Sequence, residues 1–348
     1  MTTRQFGTAP TLVALADTSA SAGVVSVVLV SFRTPTLLSA CLEQLRGEPC
    51  VREVIVLDNA SGDGSAELVE RDFPGMLLIR NTVNVGFARA VNQALGHCAG
   101  EYILLLNPDV VLGKTAVSQL TALLASDSSI GAAAPAIRHV SGRLRVLSGG
   151  RQPTLWRMFT HATLLSRFSR RIPSLEGLNL LAGIHDDRPR DVEWLTGACL
   201  MLRHDALDSV GPLSERWFMY AEDLELCLRL SRAGWRLVHL PAAQIVHHMA
   251  ASTDTPTATS TAWAVALHDY YRRDISKGPF ARMAWRLVFA AQLLSRSLYY
   301  RLRARRAGVS LDRDRANSWM REARGFAACA IDVLCGTSPT TDIDRPAR

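Results

Sequence analysis

Two adjacent carboxylic acids, Glu222 and Asp223, directly follow an aromatic-rich segment at residues 217–221 and open a helical pattern of apolar residues. Large side chains beside carboxylates are typical of a walled pocket, with Glu222 at its rim and Asp223 placed to take a proton from a bound hydroxyl. Acids in the first turn of a helix also offset the helix dipole, so this motif alone leaves a structural role open.

A third carboxylate, Asp109, follows Asn107 and Pro108 after an apolar segment. Asp109 is well sited to hold a divalent cation that bridges a diphosphate, with Asn107 adding a neutral oxygen. Mg²⁺ and Mn²⁺ prefer oxygen ligands and often keep several waters, so one carboxylate and phosphate oxygens can suffice. His247 or His248, which close a later strand-like stretch, could join Asp109 on the cation. A simple turn and structural histidines are the alternative.

Two further motifs could bind a nucleotide. Asp58 ends an apolar run, where a carboxylate can accept hydrogen bonds from a nucleobase imide or a ribose hydroxyl. Asn84 precedes a helical pattern that carries Arg89 and Asn92, and there backbone N–H groups and a guanidinium could meet phosphate or ribose oxygens. A turn and a capped helix account equally well for either motif taken alone.

The elements that must position these side chains alternate between short apolar runs and amphipathic stretches. The runs at residues 24–32, 54–58, 77–81 and 102–106 predict strands separated by helices. This rhythm predicts an α/β fold with a mostly parallel sheet covered by helices on both faces. Ligands bind beyond the carboxyl ends of such strands, and residues 31–33, 58–59 and 107–109 occupy those ends.

The chain divides into three parts by composition. Residues 1–23 lack a continuous apolar segment behind a basic start, which predicts a flexible N-terminal tail without a signal peptide. Residues 24–255 form the predicted α/β domain, in which residues 152–190 are a long connection with some helix, residues 222–233 a helix and residues 235–240 a strand. The boundary between this domain and a helical region at residues 256–348 falls within a Thr-rich linker at residues 252–261.

The composition of the 348 residues, with 48% hydrophobic and 20% charged side chains, is that of a globular protein. The net charge of +7 favours an anionic partner: nucleic acid, an anionic membrane or a phosphorylated ligand. No zinc-finger or RNA-binding signature supports nucleic acid. Seven cysteines without a CxxC pair predict reduced thiols and a cytoplasmic location.

Residues 280–311 contain no acidic side chain, while arginines recur among aromatic and aliphatic residues. The apolar run is too short and too interrupted to span a bilayer. It predicts either a helix packed on the α/β domain with a solvated basic face or an interfacial helix at the inner face of the plasma membrane. In the second case Trp285, Phe289 and Tyr299 would sit at the level of the lipid headgroups.

Together these motifs resemble inverting glycosyltransferases of family 2, particularly bacterial rhamnosyltransferase-like members. The resemblance covers about two thirds of the chain in the family's order, through residues 25–32, 54–65, 84–88, 106–110, 194–200, 218–223 and 247–248. It implies a GT-A type fold with a helical C-terminal appendage. It also implies a nucleotide-sugar donor, first of all dTDP-rhamnose, and a glycan or lipid-linked acceptor used in cell-envelope polysaccharide synthesis.

The resemblance also implies roles for individual residues. Asp58 corresponds to the residue that binds the base, Asp109 to the last position of a DxD-like motif that binds metal and diphosphate, and Asp223 to the catalytic base. Spacing from Asp223 favours His247 as the metal ligand over His248. Trp194 and Tyr220 would shape the acceptor pocket.

This sequence departs from the family pattern at two places: Phe32-Arg33 stands where Tyr-Asn is frequent, and Asn107 replaces the first acid of the DxD motif. Two other functions are alternatives to glycosyl transfer. A nucleotidyltransferase would need a Gly-rich or basic triphosphate loop near the first strand, where the sequence offers only Arg33. A non-catalytic nucleotide-sugar binding protein would not need both Asp109 and Asp223.

Overall fold

The computed structural model describes residues 11–13, 24–138, 144–146, 148–181, 188–248, 261–309 and 313–337. Most of the predicted N-terminal tail and most of the predicted linker at residues 252–261 therefore lie outside the described residues. Within the predicted tail, Thr11–Val13 form an edge strand that pairs antiparallel with residues 78–80.

The first half of the sheet is built from four parallel strands and the antiparallel edge strand Thr11–Val13. Its elements are β1 (Thr11–Val13), β2 (Val25–Ser31), α1 (Pro35–Arg46), β3 (Val51–Asp58), α2 (Ser65–Asp72), β4 (Leu77–Arg80), α3 (Phe87–Leu95) and β5 (Tyr102–Leu106). The strands β4, β3, β2 and β5 are neighbours in that order and run parallel. Apolar clusters cover both faces of β2 and β5, which explains why these strands read as continuous apolar runs. The predicted α/β class is confirmed.

The second half of the sheet is mixed. The elements along this part of the chain are β6 (Val110–Leu112), α4 (Ala116–Ser126), β7 (Ile130–Arg138), β8 (Leu144–Val146), β9 (Gly149–Gly150), α5 (Leu155–Ala162), β10 (Arg190–Val192), β11 (Trp194–Leu195), β12 (Cys199–Arg203), α6 (His204–Val210), α7 (Glu222–Arg232) and β13 (Arg236–His247). Strands β9 and β11 pair with each other in a separate two-stranded sheet. Strand β12 pairs antiparallel with both β5 and β7, and β13 runs parallel to β7. Two short 3₁₀ helices, Leu165–Phe168 and Pro173–Leu175, follow α5.

Strand β13 is longer than the sequence predicts. The sequence predicts a strand at residues 235–240 and a separate strand-like stretch that His247 and His248 close. Pro241, which cannot donate a ladder hydrogen bond, lies between the two. The structure continues the strand to His247 through a register shift between Leu240 and Gln244, which places the proline in the irregular stretch. The extra residues pair with β6, so that the irregularity brings the end of β13 beside the Asn107–Asp109 turn.

The C-terminal region consists of α8 (Ala262–Tyr270), a π-helical turn (Tyr271–Ile275), α9 (Pro279–Val309) and α10 (Arg313–Cys335). Trp285 and Phe289 of α9 are buried in a cluster that also contains Trp217 and Met158 of the α/β domain. The Trp285 indole N–H donates to the Pro153 carbonyl at 2.7 Å. Helix α9 therefore packs on the α/β domain, and the expectation that Trp285 and Phe289 sit among lipid headgroups is wrong.

The opposite side of α9 carries a second apolar stripe that is exposed. Its members are Phe280, Met283, Leu287, Leu294, Leu298 and Tyr299. In the part of the chain that the structure describes, no helix has an apolar stretch of the length that crossing a membrane requires.

Candidate active site

Asp58 is buried at the carboxyl end of β3. Its Oδ2 accepts a hydrogen bond from the Ser61 N–H at 3.3 Å, while its Oδ1 is buried without a partner among the described residues. Burial raises the pKa of Asp58, and the hydrogen bonds from Ser61 oppose that shift. Since buried polar atoms are normally paired, Oδ1 is suited to accept an N–H or O–H from a ligand at this sheet edge.

The neighbouring Asn59 ties the Asn84 loop to the end of β3. Its side-chain amide donates to Asn84 Oδ1 at 2.7 Å, and its Oδ1 accepts from the Val85 N–H at 3.0 Å. Asn84 Oδ1 also accepts from the Gly86 N–H at 3.0 Å. The loop that leads into α3 is thus held against the edge where Asp58 lies.

Asp109 and His247 meet because β6 pairs with the end of β13. In that antiparallel register Val110 lies opposite His247, and the His248 N–H donates to the Asp109 carbonyl at 3.0 Å. His247 Nε2 lies 3.1 Å from Asp109 Oδ1. Among the described residues no third His, Cys, Asp or Glu completes a metal-binding group. A cation held by this pair would take its other ligands from phosphate and water.

Asp223 is fixed by two backbone donors at the start of α7. The Gly197 N–H donates to its Oδ2 at 3.0 Å and the Leu224 N–H to its Oδ1 at 2.9 Å. The carbonyl of Ala198, the residue after Gly197, accepts a hydrogen bond from the Asn107 N–H at 2.9 Å. Two consecutive residues therefore connect the carboxylate on α7 to the Asn107–Asp109 turn.

The environment of the two adjacent acids raises the pKa of both. Burial raises the pKa of Asp223, and hydrogen bonds from the Gly197 and Leu224 N–H groups oppose the shift. Burial and then the charge of Asp223 raise the pKa of Glu222, whose Oε2 is buried without a partner among the described residues. The helix dipole alone would lower the pKa of Asp223, whereas burial acts in the opposite direction and gives a net rise.

The aromatic-rich loop at residues 217–221 closes the site against α3. The Phe87 N–H donates to the Phe218 carbonyl at 2.9 Å. A Cβ on Gly86 would lie 2.4 Å from that carbonyl oxygen, so the approach requires glycine, as does its φ of +85°. Tyr220 and Ala221 have φ values of +73° and +68°, a left-handed turn that directs the chain into α7. Tyr220 is exposed beside the two acids.

Trp194 lies in the segment that holds Asp223 rather than directly beside the acid. Its indole N–H donates to the Leu178 carbonyl at 3.1 Å, and its half-buried ring lies against Gly150. The connection at residues 152–190 therefore contributes Leu178 to the wall that Trp194 forms.

Arg89 is not brought to Asp58, Asn107 or Asp109 by any hydrogen bond or ion pair of the described residues. Its Nε donates to Glu215 Oε2 at 3.1 Å. Asn92, one turn further along α3, bonds to the same loop through Glu215 and Leu213. The geometry gives this pair a role in fixing the loop before residue 217, which differs from the phosphate-binding role that the sequence suggested.

Sequence reasoning also missed the residues that assemble the site. Asn59, Gly197 and Ala198 act through one amide side chain and two backbone groups. Asn59 lies in the motif at residues 54–65 and Gly197 in the motif at residues 194–200, but nothing in the sequence indicates which groups they bond to.

The chain matches two family models in succession. Residues 26–174 match glycosyl transferase family 2, and residues 179–305 match glycosyl transferase family group 2. Two curated relatives are rhamnosyltransferases. The N-acetylglucosaminyl-diphospho-decaprenol L-rhamnosyltransferase of Mycobacterium tuberculosis (strain H37Rv) is 34% identical over 220 residues, which are 60% of this chain and 70% of that protein. Rhamnosyltransferase WbbL of Escherichia coli K12 is 25% identical over 243 residues, 65% and 83% of the two chains.

Two solved structures share the fold. A mannosyltransferase from Pyrobaculum calidifontis, in complex with GDP-Man and Mn²⁺, superposes with a TM-score of 0.53 at 18% identity, covering 90% of this chain and 88% of that one. GalNAc-T7, with UDP, GalNAc and Mn²⁺, gives a TM-score of 0.51 at 12% identity, covering 90% and 58%. The fold is the predicted GT-A type. The chain belongs to glycosyltransferase family 2 and is a glycosyltransferase.

Proposed function

We propose that this protein is an inverting rhamnosyltransferase. It moves rhamnose from dTDP-rhamnose to a hydroxyl of a glycan or lipid-linked saccharide during cell-envelope polysaccharide synthesis. The donor and acceptor classes come from the two rhamnosyltransferase relatives, one of which is named for a diphospho-decaprenol substrate. The observation that carries the proposal is the continuous set of contacts from Asp223 through Gly197 and Ala198 to the Asn107–Asp109 turn and His247.

The donor would lie along the edge from Asp58 to Asp109. The Oδ1 of Asp58, which has no partner among the described residues, is suited to the nucleobase or ribose, and Asn84 with Asn107 would line the path toward the diphosphate. Asp109 and His247 would hold a divalent cation, Mg²⁺ or Mn²⁺, which when bound would offset the charge of the leaving diphosphate. The Asp109 carboxylate is the ligand type that such a cation prefers, the His247 imidazole is the softer ligand of the two, and both solved neighbours were determined with Mn²⁺.

The chain's own residues perform a single displacement. Asp223 accepts the proton of the acceptor hydroxyl as its oxygen attacks the anomeric carbon, and the nucleoside diphosphate leaves from the opposite face of the sugar. The N–H groups of Gly197 and Leu224 hold both carboxylate oxygens, so that the base is oriented before the acceptor arrives. Tyr220, Glu222 and the wall formed by Trp194 would position the acceptor sugar.

A donor screen tests this function. We expect the full chain to transfer sugar from dTDP-rhamnose at least about tenfold faster than from UDP- or GDP-hexoses, with inversion at the anomeric carbon. A polyprenyl-diphospho-N-acetylglucosamine analogue is the acceptor, and product configuration is read by NMR. Consumption of a nucleoside triphosphate and a sugar phosphate with pyrophosphate release would instead identify a nucleotidyltransferase.

We also propose that the enzyme works at the cytoplasmic face of the membrane, through the exposed stripe of α9. The members of the stripe are between 47% and 91% exposed, and exposed arginines follow on the same helix at Arg301, Arg305 and Arg306. An apolar stripe beside basic residues complements an anionic leaflet. The boundary at residue 255 between catalytic and helical regions stays a prediction.

Flotation with liposomes tests the membrane contact. Each basic residue near an anionic surface contributes about 1 kcal/mol, so changing Arg301, Arg305 and Arg306 to Gln should weaken binding up to about a hundredfold at low salt. Arg303 is left unchanged because its guanidinium lies 4.5 Å from the centre of the Trp319 ring. The charge-matched control is a triple variant on the α/β domain, in which Arg52, Arg71 and Arg236 are changed to Gln. Equal loss in both variants, or no binding by the intact chain, would contradict an α9 contact.

A further inference from the structure

A cavity of about 320 Å³ lies between α8, the beginning of α9 and the end of α10. Its wall includes Arg272 of the π-helical turn, Arg282 and Arg286 of α9, and Gly336 after α10. It shares no residue with the candidate active site. A Cβ on Gly336 would lie 3.5 Å from a terminal nitrogen of Arg286, which is an ordinary contact, and the φ of +69° favours glycine at this position.

Two arginines of this wall have no hydrogen-bond acceptor among the described residues. Arg282 and Arg286 are one helical turn apart, and among the described residues neither side chain has a hydrogen bond or an ion pair. The Nε of Arg286 is buried without a partner among the same residues. Like charges at this spacing repel, and a buried donor without an acceptor costs free energy. An anion between them would relieve both effects.

The single carboxylate in the wall, Asp269, is already shared among other arginines. Its side chain is 3% exposed, and its Oδ1 accepts from Arg272 and from Arg273 at 2.8 Å. Arg216 lies 3.7 Å from its other oxygen. The cavity wall itself carries three arginines, Arg272, Arg282 and Arg286, and one aspartate, so its net charge is +2.

Two other features add to the positive potential or leave it unchanged. Pro279, the first residue of the 31-residue helix α9, also lines the cavity, so the positive end of the helix dipole lies there. Burial, followed by the charges of Arg286 and Arg272, lowers the pKa of His268, so this imidazole is neutral at pH 7 and does not alter the charge.

We propose that this cavity binds a phosphate group, either of a soluble phosphate or diphosphate or of an anionic lipid headgroup. Guanidinium groups bind phosphate through paired N–H donors, and Arg282 with Arg286 presents two of them one turn apart. The lipid source is favoured by position, because Met283 lines the cavity and Phe280, at 91% exposure, stands one turn from it at the start of the exposed stripe.

Titration of the full chain with inorganic phosphate and pyrophosphate tests the site. EDTA is present throughout, so that any cation-dependent diphosphate binding at Asp109 is suppressed. We expect Arg282→Gln with Arg286→Gln to weaken binding about tenfold or more, because two charge-assisted contacts are lost. Arg301→Gln with Arg305→Gln is the matched control, with the same helix, spacing and charge change, and should bind as the wild type does. Arg282→Gln alone, at an exposed position, should shift affinity in the same direction if the double variant unfolds.

The competing occupant is the chain itself, since the sequence continues beyond Thr337 with Asp342 and Asp344. Binding that appears only after Asp342→Asn and Asp344→Asn would overturn the proposal. The proposal would also be overturned if the pocket variant, Arg282→Gln with Arg286→Gln, bound phosphate as tightly as the control variant, Arg301→Gln with Arg305→Gln.

Phosphatidylglycerol vesicles at low salt distinguish the two sources of phosphate. If the headgroup is the ligand, the pocket variant loses more vesicle binding than the control variant of equal charge. If the ligand is soluble, both variants lose vesicle binding equally while only the pocket variant loses phosphate affinity. Failure of the proposed rhamnosyl transfer would leave these results unaffected, because neither measurement involves catalysis.

Discussion

Replacement of Asp223 by Asn should lower the rate of sugar transfer by about a thousandfold while leaving donor binding nearly unchanged. The amide keeps the shape of the carboxylate but cannot accept the acceptor's proton, and general-base catalysis contributes roughly 10²- to 10⁴-fold. Donor contacts lie on the Asp58 to Asp109 edge in the proposed mechanism, so the loss should fall on kcat and not on the KM for the nucleotide sugar.

The control is Asp205→Asn, which removes an exposed carboxylate from the first turn of α6. It repeats the chemical change at another helix start, and transfer should match the wild type. Circular dichroism and thermal unfolding of both variants show whether the fold survives. Transfer by Asp223→Asn within about threefold of wild type, with normal donor saturation, would exclude Asp223 as the base.

The raised pKa of Asp223 gives the same prediction a pH signature. Asp223 acts as a base only when ionised, so transfer should fall as the pH drops through its pKa. Because burial raises that pKa, the acid limb should lie above the value near 3.9 of an unperturbed Asp. Glu222 lies beside it, and the limb therefore reports the pair of acids. The limb should disappear from the residual activity of Asp223→Asn.

The parallel half of the sheet was predictable from sequence because β2, β3, β4 and β5 are short apolar runs separated by amphipathic stretches. Burial on both faces produces that pattern directly. The position of Asp58 and Asp109 at the same edge of the sheet followed as well, since each comes at or just after the end of a parallel strand. The continuation of β13 past Pro241 did not follow, because the register shift that accommodates the proline is a tertiary property.

The site was predictable to the extent that its chemistry resides in side chains with distinctive neighbours. Asp223, Asp109 and His247 stood out by type and position. The partners that join Asp223 to the Asn107–Asp109 turn are backbone groups of Gly197 and Ala198, which have no sequence signal. Arg89 is a side chain whose position in the sequence suggested the wrong partner. An arginine near a helix start suggests phosphate, whereas its pairing with Glu215 depends on a loop more than a hundred residues away.

Helix α9 shows a related limit. Its sequence fits both a packed helix and an interfacial helix, and the structure contains features of both. Trp285 and Phe289 face the α/β domain, whereas Phe280 and Leu287 are exposed. Apolar residues on two sides of one helix cannot be assigned to core or surface until the packing partner, here Met158 of α5 and Trp217, is known.

Substitution of Asp109 or His247 by Ala should weaken binding of thymidine diphosphate in Mg²⁺ or Mn²⁺ by at least about 10- to 100-fold, the usual cost of losing even an outer-shell partner of a metal ligand. Their 3.1 Å contact places both groups on the same cation in the proposed site, so either change should act through the metal. With chelator, wild type and both variants should bind alike. Calorimetric titrations with and without metal measure the difference.

His248→Ala is the matched control, since His248 is exposed and touches the turn only through its backbone N–H to the Asp109 carbonyl. It should keep metal-dependent affinity, whereas a loss equal to that of His247→Ala would assign the ligand to the wrong histidine. Equal loss of affinity with and without metal in Asp109→Ala would mean that the carboxylate contacts the donor directly or supports the β6–β13 pairing. Metal dependence confined to Asp109 and His247 is therefore the result that identifies them as the cation's two protein ligands.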